Sequence, residues 1–361
     1  AGGGNACGPC NTPPASTCEN NTTLRVYSPP GTCGGTQCTY STSLVTCASS
    51  CANGACTGTG WSQLTTGTSQ PLTAVWGSAA NSVWAGGPSA TMLFWNGAVW
   101  QARAVPTTYD IRSLGGASAT SVFAVAKASS PPFAMLHFDG ATWSNISTAL
   151  SLSNVELWDD DTCIAGVGER EAYWASVEAR YNPIRPVLAL HRIQHDGAAW
   201  SRQLLGEYPL TSGQAQVPCQ VQVLPGGQAA IAAGVTVLWN GATLSPLGSS
   251  MVASKGIHLA SPTDGVAVSG VLHVLTSGTW ATLNLGMSPN AMHGTNANRV
   301  FIVGYQQMNT TLYPRVSMWD GLGTTALTMP PMATGPLYAV WAAPTGEVFA
   351  VGQNGLVLKG P

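Results

Sequence analysis

Leu72–Trp100 reads LTAVWGSAANSVWAGGPSATMLFWNGAVW. It contains a short apolar strand ending Val75-Trp76-Gly77 and a turn through Asn81. A second strand, Val83-Trp84-Ala85-Gly86, follows, then a third, Leu93-Phe94-Trp95, that runs into Asn96-Gly97. Asn-Gly supplies the positive φ that a tight hairpin demands, and Trp100 then opens a fourth strand. The phrase recurs along the chain, and a recurring unit decides the architecture before any single residue does.

With the middle of the second strand as register mark, the repeats fall at Trp84, Phe123, Ile164, Ile231, Ala267, Phe301 and Phe349. Seven units of several short strands, spaced at about 40 residues, predict a propeller. Four more third strands end at Asp139-Gly140, Asp196-Gly197, Asn240-Gly241 and Asp320-Gly321, and fourth strands open at Trp143, Trp200 and Trp280. The last unit stops at 356–360 after three strands. Before the first unit, Gly60-Trp61-Ser62-Gln63-Leu64 matches the fourth-strand phrase Ala141-Thr142-Trp143-Ser144. The N-terminal strand therefore completes the last sheet and hides an edge that would otherwise pair with other chains. The prediction is an all-β, seven-bladed β-propeller over 58–361, closed by an N-terminal strand.

The first 57 residues read differently. Eight of the ten cysteines lie here: Cys7, Cys10, Cys18, Cys33, Cys38, Cys47, Cys51 and Cys56. An even number packed among Gly, Pro, Thr and Asn predicts a disulfide-stapled module from an oxidising compartment; zinc is disfavoured because the Cys7/Cys10 spacing has no second C-x2-C pair. Cys163 and Cys219 fall in adjacent units and are expected to bond to each other. The reading is a secreted or cell-surface protein whose leader, absent at Ala1, has been removed.

The phrase resembles a family of secreted β-propeller repeat proteins of myxobacteria and related bacteria, often with a Cys-rich N-terminal segment. Val75-Trp76-Gly77, 81–87, 93–97 and 339–352 carry the resemblance, which covers 60–361. It implies the fold and supplies no catalytic residues.

Bulk properties exclude some functions. Among 361 residues only 13 are Lys or Arg and the net charge is −2, so no nucleic-acid footprint exists. No run of 18 apolar residues predicts a transmembrane helix. G-x-S-x-G, H-E-x-x-H and phosphate-binding glycine loops are missing.

Candidate ligand contacts come from two places. Trp76, Trp158 and Trp341 are placed at the end of innermost strands, and His293 and His258 in or near the register of Trp76; side chains there either plug the channel or bind a ligand. Residues 156–207 hold nine of the fifteen acids and five of the thirteen basic residues. About 18 residues, 169–186, are expected as an insertion between the second and third strands of unit three, and insertions on one face of a repeat protein often bind. This adds Glu169, Arg170, Trp174, Arg180, Arg192 and His195. Asp159 and Asp161, flanking Asp160, are expected in a turn between the first two strands, where Ca2+ would suit the carboxylates; otherwise no cofactor is predicted.

The expected function is binding or structural: an extracellular platform recognising a glycan or a protein. Two alternatives remain. One is a lyase or hydrolase drawing on Glu169, Arg170, His191, Arg192 and His195; the other is a subunit of an extracellular filament or surface assembly.

Overall fold

A computed structural model describes residues 10, 13–34, 36–46, 50–52, 54–57, 60–128, 133–211, 219–249, 252–330 and 333–361. Among the described residues there are seven four-stranded antiparallel sheets, a three-stranded sheet and a two-stranded sheet. The two small sheets come from 17–57 and enclose their own cluster of Leu24, Val26 and Cys51. Cys10–Cys38 and Cys18–Cys51 are disulfides, and Cys33 is disulfide-bonded too. Cys7, Cys47 and the side chain of Cys56 lie outside the described residues.

The innermost strands of the seven large sheets are Ala74–Ala79, Asp110–Ser118, Leu157–Gly168, Gln220–Leu224, Gly256–Ser261, Ser288–Asn296 and Leu337–Ala342. We number the sheets one to seven in that order and call the end where these strands begin the upper end. Sheet seven takes its fourth strand from Ser62–Leu64, with Leu64, Gln63 and Ser62 opposite Val357, Leu358 and Lys359. The predicted zip is therefore present.

The second strands are apolar on both faces because each sheet is sandwiched between two others. Val83 and Ala85 pack towards sheet seven, while Trp84 packs towards sheet two. Buried apolar clusters accordingly fall at the seams: Leu136 and Trp143 meet Trp84 between sheets one and two, and Phe349 and Val351 meet Leu93 between sheets seven and one. Seven such clusters join consecutive sheets, the last to the first, so the core is distributed around a closed ring.

All five Asn-Gly or Asp-Gly turns occur, but as four-residue loops. The Asn or Asp side chain accepts from the two backbone N–H groups two and three residues on, at 2.8–3.0 Å, and the glycine takes φ of 95–101°. Those backbone bonds hold the carboxyls of Asp139, Asp196 and Asp320 below their usual range.

Sheet three departs from expectation. Cys163-Ile164-Ala165-Gly166 lies on the first strand, not the second. The second strand is Glu171–Arg180, and Tyr173, opposite Ala165, takes the marker position. There is no inserted loop over 169–186. The extra length is two long strands, Glu171–Arg180 and Arg185–His195, joined by a tip at 181–184 on the upper side. Asp159–Asp161 do not form a turn between strands. They lie in a bulge of the first strand, between the pairs Leu157–Glu178 and Thr162–Ser176.

Candidate functional site at the central channel

The innermost strand of a propeller sheet is an edge strand whose free backbone groups face the channel. Here most are tied to a neighbour. Thr73 Oγ1 donates to Ile111 O (3.2 Å), and Ser113 Oγ accepts from Ile164 N (3.1 Å). Cys163 of sheet three is disulfide-bonded to Cys219 of sheet four, as expected. Gln220 Oε1 accepts from Ile257 N (3.0 Å), and Gln222 Oε1 from Leu259 N (2.6 Å). His258 bonds the Asn296 backbone, Asn290 Nδ2 donates to Leu337 O (2.7 Å), and His293 Nδ1 accepts from Ala342 N (3.1 Å). A side chain on one sheet thus repeatedly satisfies the backbone of the next.

Two rings follow from the strand registers. The deeper ring is Trp76, Gly115, Ala165, Gln222, His258, His293 and Trp341, opposite Trp84, Phe123, Tyr173, Ala230, Val266, Phe301 and Phe349. Its large members sit over glycines of the following sheet. A Cβ on Gly77 would come within 2.7 Å of Trp341, one on Gly116 within 2.7 Å of Trp76, and one on Gly294 within 2.8 Å of His258. The bulky half of the ring spans sheets five, six, seven and one. Sheets two and three contribute only Gly115 and Ala165, and their strands approach closely there: a Cβ on Gly115 would come within 2.3 Å of Ile164 O.

The upper ring, three residues before each member of the deeper ring, is Thr73, Arg112, Thr162, Cys219, Lys255, Asn290 and Tyr338. Both rings line a single cavity of about 560 Å3. Its two charged side chains on the upper ring are cations. Arg112 donates to Asp110 at 3.2 Å. His258 and His293 add no charge at neutral pH: burial pushes His258 down to about 4 against its Asn296 bond, and burial with His258 as neighbour pushes His293 to about 3. Because Nδ1 of His293 accepts from Ala342, its proton sits on Nε2.

The structure brings Trp76, His293 and Trp341 together in the cavity wall, with His258 in register. Trp158 is not at the end of its strand. It lies near the start, in the bulge, packs against the cluster between sheets three and four and does not line the cavity. Trp174 offers no surface either. It is fully buried, donates from Nε1 to Thr162 Oγ1 (2.6 Å) and stacks on His191 at 4.8 Å.

The charges of sheet three separate into two ends. Arg180 is at the upper end, bonded to Glu178 and Glu207. Glu178 is buried and accepts from Ser176 (2.8 Å), with His191 Nε2 at 2.6 Å; although burial opposes ionisation, bonds from His191, Ser176 and Arg180 hold it at about 2. Glu169 and Arg170 lie in the lower turn between the first two strands, where His195 N donates to Arg170 O (3.0 Å). The His195 ring meets Trp200 edge-on at 5.0 Å. Arg192 pairs with Glu171 at 2.7 Å. Ten strand steps separate Arg185, opposite Arg180, from His195, about 33 Å of rise. Of the five residues considered for hydrolase chemistry, Glu169, Arg170 and His195 meet at the lower turn beside His137, whereas His191 is enclosed in the sheet interface, so the five do not form one site. The side chains of Asp159 and Asp161 lie outside the described residues, and among those described no three His, Cys, Asp or Glu groups could share a metal ion.

Lys255, Arg112 and Tyr338 escaped the sequence reading. A lone cation in the small, uncharged stretch Val252–Ser254, one residue ahead of an innermost strand, was the available signal.

Four-stranded antiparallel sheets packed face to face around a channel define a β-propeller. Solved structures agree. YCF48 bound to D1 peptide is 16% identical with a TM-score of 0.59, over 84% of this chain and 98% of that one. The WD40 β-propeller domain of Doa1 is 12% identical with a TM-score of 0.57, over 82% and 94%. Streptogramin B lyase is 11% identical with a TM-score of 0.57, over 83% and 96%. At these identities the likeness shows the fold alone. No family model and no curated protein matches the chain.

Proposed function

We propose that this chain is an extracellular seven-bladed propeller that binds a segment of a partner protein across its upper face. The observation that carries the reading is a coincidence on that face. The channel cavity is lined by the upper-ring residues, and the hairpin of sheet three presents Tyr181 and Ile184, 58% and 63% exposed, at its tip on the same side. Large apolar side chains held out on a rigid arm are costly to leave in water and suit a contact surface. The arm is stiffened at its base by Arg180 with Glu178 and Glu207, and by Tyr181 Oη donating to Glu156. A cavity of this size admits a short segment, not a folded domain. YCF48, of similar fold, was solved with a peptide bound. The disulfides favour an oxidising compartment.

The test is selection from a displayed peptide library by the immobilised protein, followed by replacement of 181–184 with Asn-Gly. That swap shortens the tip and keeps the strand pair Arg180–Arg185. Enrichment of peptides that bind the native protein and bind the variant at least about tenfold more weakly supports the reading. Failure to enrich any peptide overturns it. Glycan recognition is the second reading, favoured by the half-buried Trp76 in the cavity wall; a glycan array decides it.

A further inference from the structure

Lys255 is half-buried on the upper ring of the cavity, and no carboxylate pairs with it among the described residues. Among the other ionic side chains of the innermost strands and sheet three, Arg112 has Asp110, Arg180 has Glu178 and Glu207, and Arg192 has Glu171, while Arg185 and Arg202 lie outside the cavity wall. In a chain with only 13 Lys and Arg, two of them line this one cavity, and none of its described lining residues is acidic. Arg112 and Lys255 hold the same register position in sheets two and five, so they stand across the mouth from one another. Arg112 is offset by Asp110, so Lys255 supplies the net positive charge of this concave wall of low dielectric. The imidazoles deeper down are uncharged at neutral pH, so neither offers an anion a counter-charge.

We infer that Lys255 receives a carboxylate from an acidic segment of the partner protein, which enters the channel from the upper end with the apolar tip of sheet three beside it. Arg112 stands on the opposite wall, held by Asp110. A peptide is favoured over an acidic polysaccharide because Tyr181 and Ile184, exposed at the tip of sheet three on the same upper side, offer apolar contact that a uronate chain would not use.

This inference rests on the protein-binding reading, and the experiment separates the two. Fluorescent ten-residue peptides of alternating Glu and Gly, and of Gln and Gly, are titrated by anisotropy into the full protein, Lys255→Gln and Lys255→Arg, with an oligogalacturonate as third probe. The Glu peptide is expected to bind native protein about tenfold more tightly than the Gln peptide. Lys255→Gln should erase that difference, Lys255→Arg should keep most of it, and added salt should shrink it. Equal binding of the two peptides, or a preference unchanged in Lys255→Gln, overturns the assignment of Lys255. If library peptides still bind in a tip-dependent manner, the protein-binding reading stands without it. Lys255-dependent binding of oligogalacturonate with no binding of the Glu peptide overturns the peptide as the source of the carboxylate. If native protein binds none of these probes and no library peptide, both readings fall. Unchanged circular dichroism and melting of the two variants establish that charge, not folding, was altered.

Discussion

At the deeper ring, Trp341 of sheet seven covers Gly77 of sheet one, and Trp76 of sheet one covers Gly116 of sheet two. Sheet three has only Ala165 at that position; it is tied to sheet four by Cys163–Cys219 and carries a buried polar network around Glu178 and His191. Sheets seven and one keep the repeated phrase, and sheet three abandons it. Both keep the backbone course, because the ring demands only that each seam be filled and each inner edge satisfied. Aromatic-on-glycine packing does this non-specifically and leaves nothing over. A covalent tie and an internal ion network free the sheet to grow an arm beyond the disc. The departure from the repeat is thus where a partner surface is available.

The largest expected effect lies in the faithful region. Trp341→Ala removes a nearly buried indole that touches both the Gly77 wall and Phe349, at 6.2 Å between ring centroids. Loss of stability by about 3–5 kcal/mol is expected in urea unfolding. A loss under 1 kcal/mol would show that the seam does not depend on this packing. In the divergent region, Cys163→Ala with Cys219→Ala opens a loop of sequence separation 56 and should cost about 2–4 kcal/mol. The same change measured with the native protein under reductant should agree. A neutral result would make the disulfide incidental to that seam.

Acid separates the regions by where on the pH scale each fails. His258 and His293 have pKa values lowered from 6.5 to about 4 and about 3. Below pH 6.5 the unfolded chain takes up protons that the folded chain refuses, so this part of the stability is present above 6.5 and is lost as pH falls towards 3 to 4. Glu178, lowered from 4.5 to about 2, is also depressed, and its contribution disappears only below 4.5. His293→Gln should therefore flatten the stability profile between pH 6 and 4 by about 1.4 kcal/mol per pH unit, the value of one proton. Glu178→Gln should alter it only at lower pH. Denaturant midpoints across pH 3–8 test this, and a Glu178→Gln effect on the slope at pH 6 would contradict the assignment.

What could be read beforehand follows the same division. The Asn-Gly and Asp-Gly turns were legible because a glycine at positive φ leaves a mark in the sequence. The closing strand was legible because Trp61-Ser62 repeats Trp143-Ser144. Sheet three was misassigned by one strand because a first and a second strand, both buried on both faces, look alike as apolar runs; Ile164-Ala165-Gly166 imitates Val83-Trp84-Ala85-Gly86 as well as it does Val75-Trp76-Gly77. Counting back from Asp196-Gly197 to Tyr173-Trp174-Ala175 would have set the register. The candidate site was only half visible. Aromatics and histidines announce themselves by composition, whereas Lys255 and Arg112 acquire meaning only when seven separate strands bring their first residues to one rim.

The smallest expected effect probes what the two regions share. Asn96 closes the turn of sheet one, and Asn240 that of sheet four, which shares the disulfide seam with sheet three. Each side chain accepts two backbone N–H groups at 2.9–3.0 Å in an exposed loop, so after Asn→Ala water replaces it. The loss should be about 0.5–1 kcal/mol at either site, and Asn→Asp should be nearly neutral, since the carboxylate accepts the same two bonds at Asp139 and Asp320. Equal values at 96 and 240 would mean that the turn is an autonomous local device, indifferent to how its sheet is held. A markedly larger loss at 240 would mean that the divergent seam transmits strain into its neighbour, and that the arm on sheet three is less independent of the disc than its packing indicates.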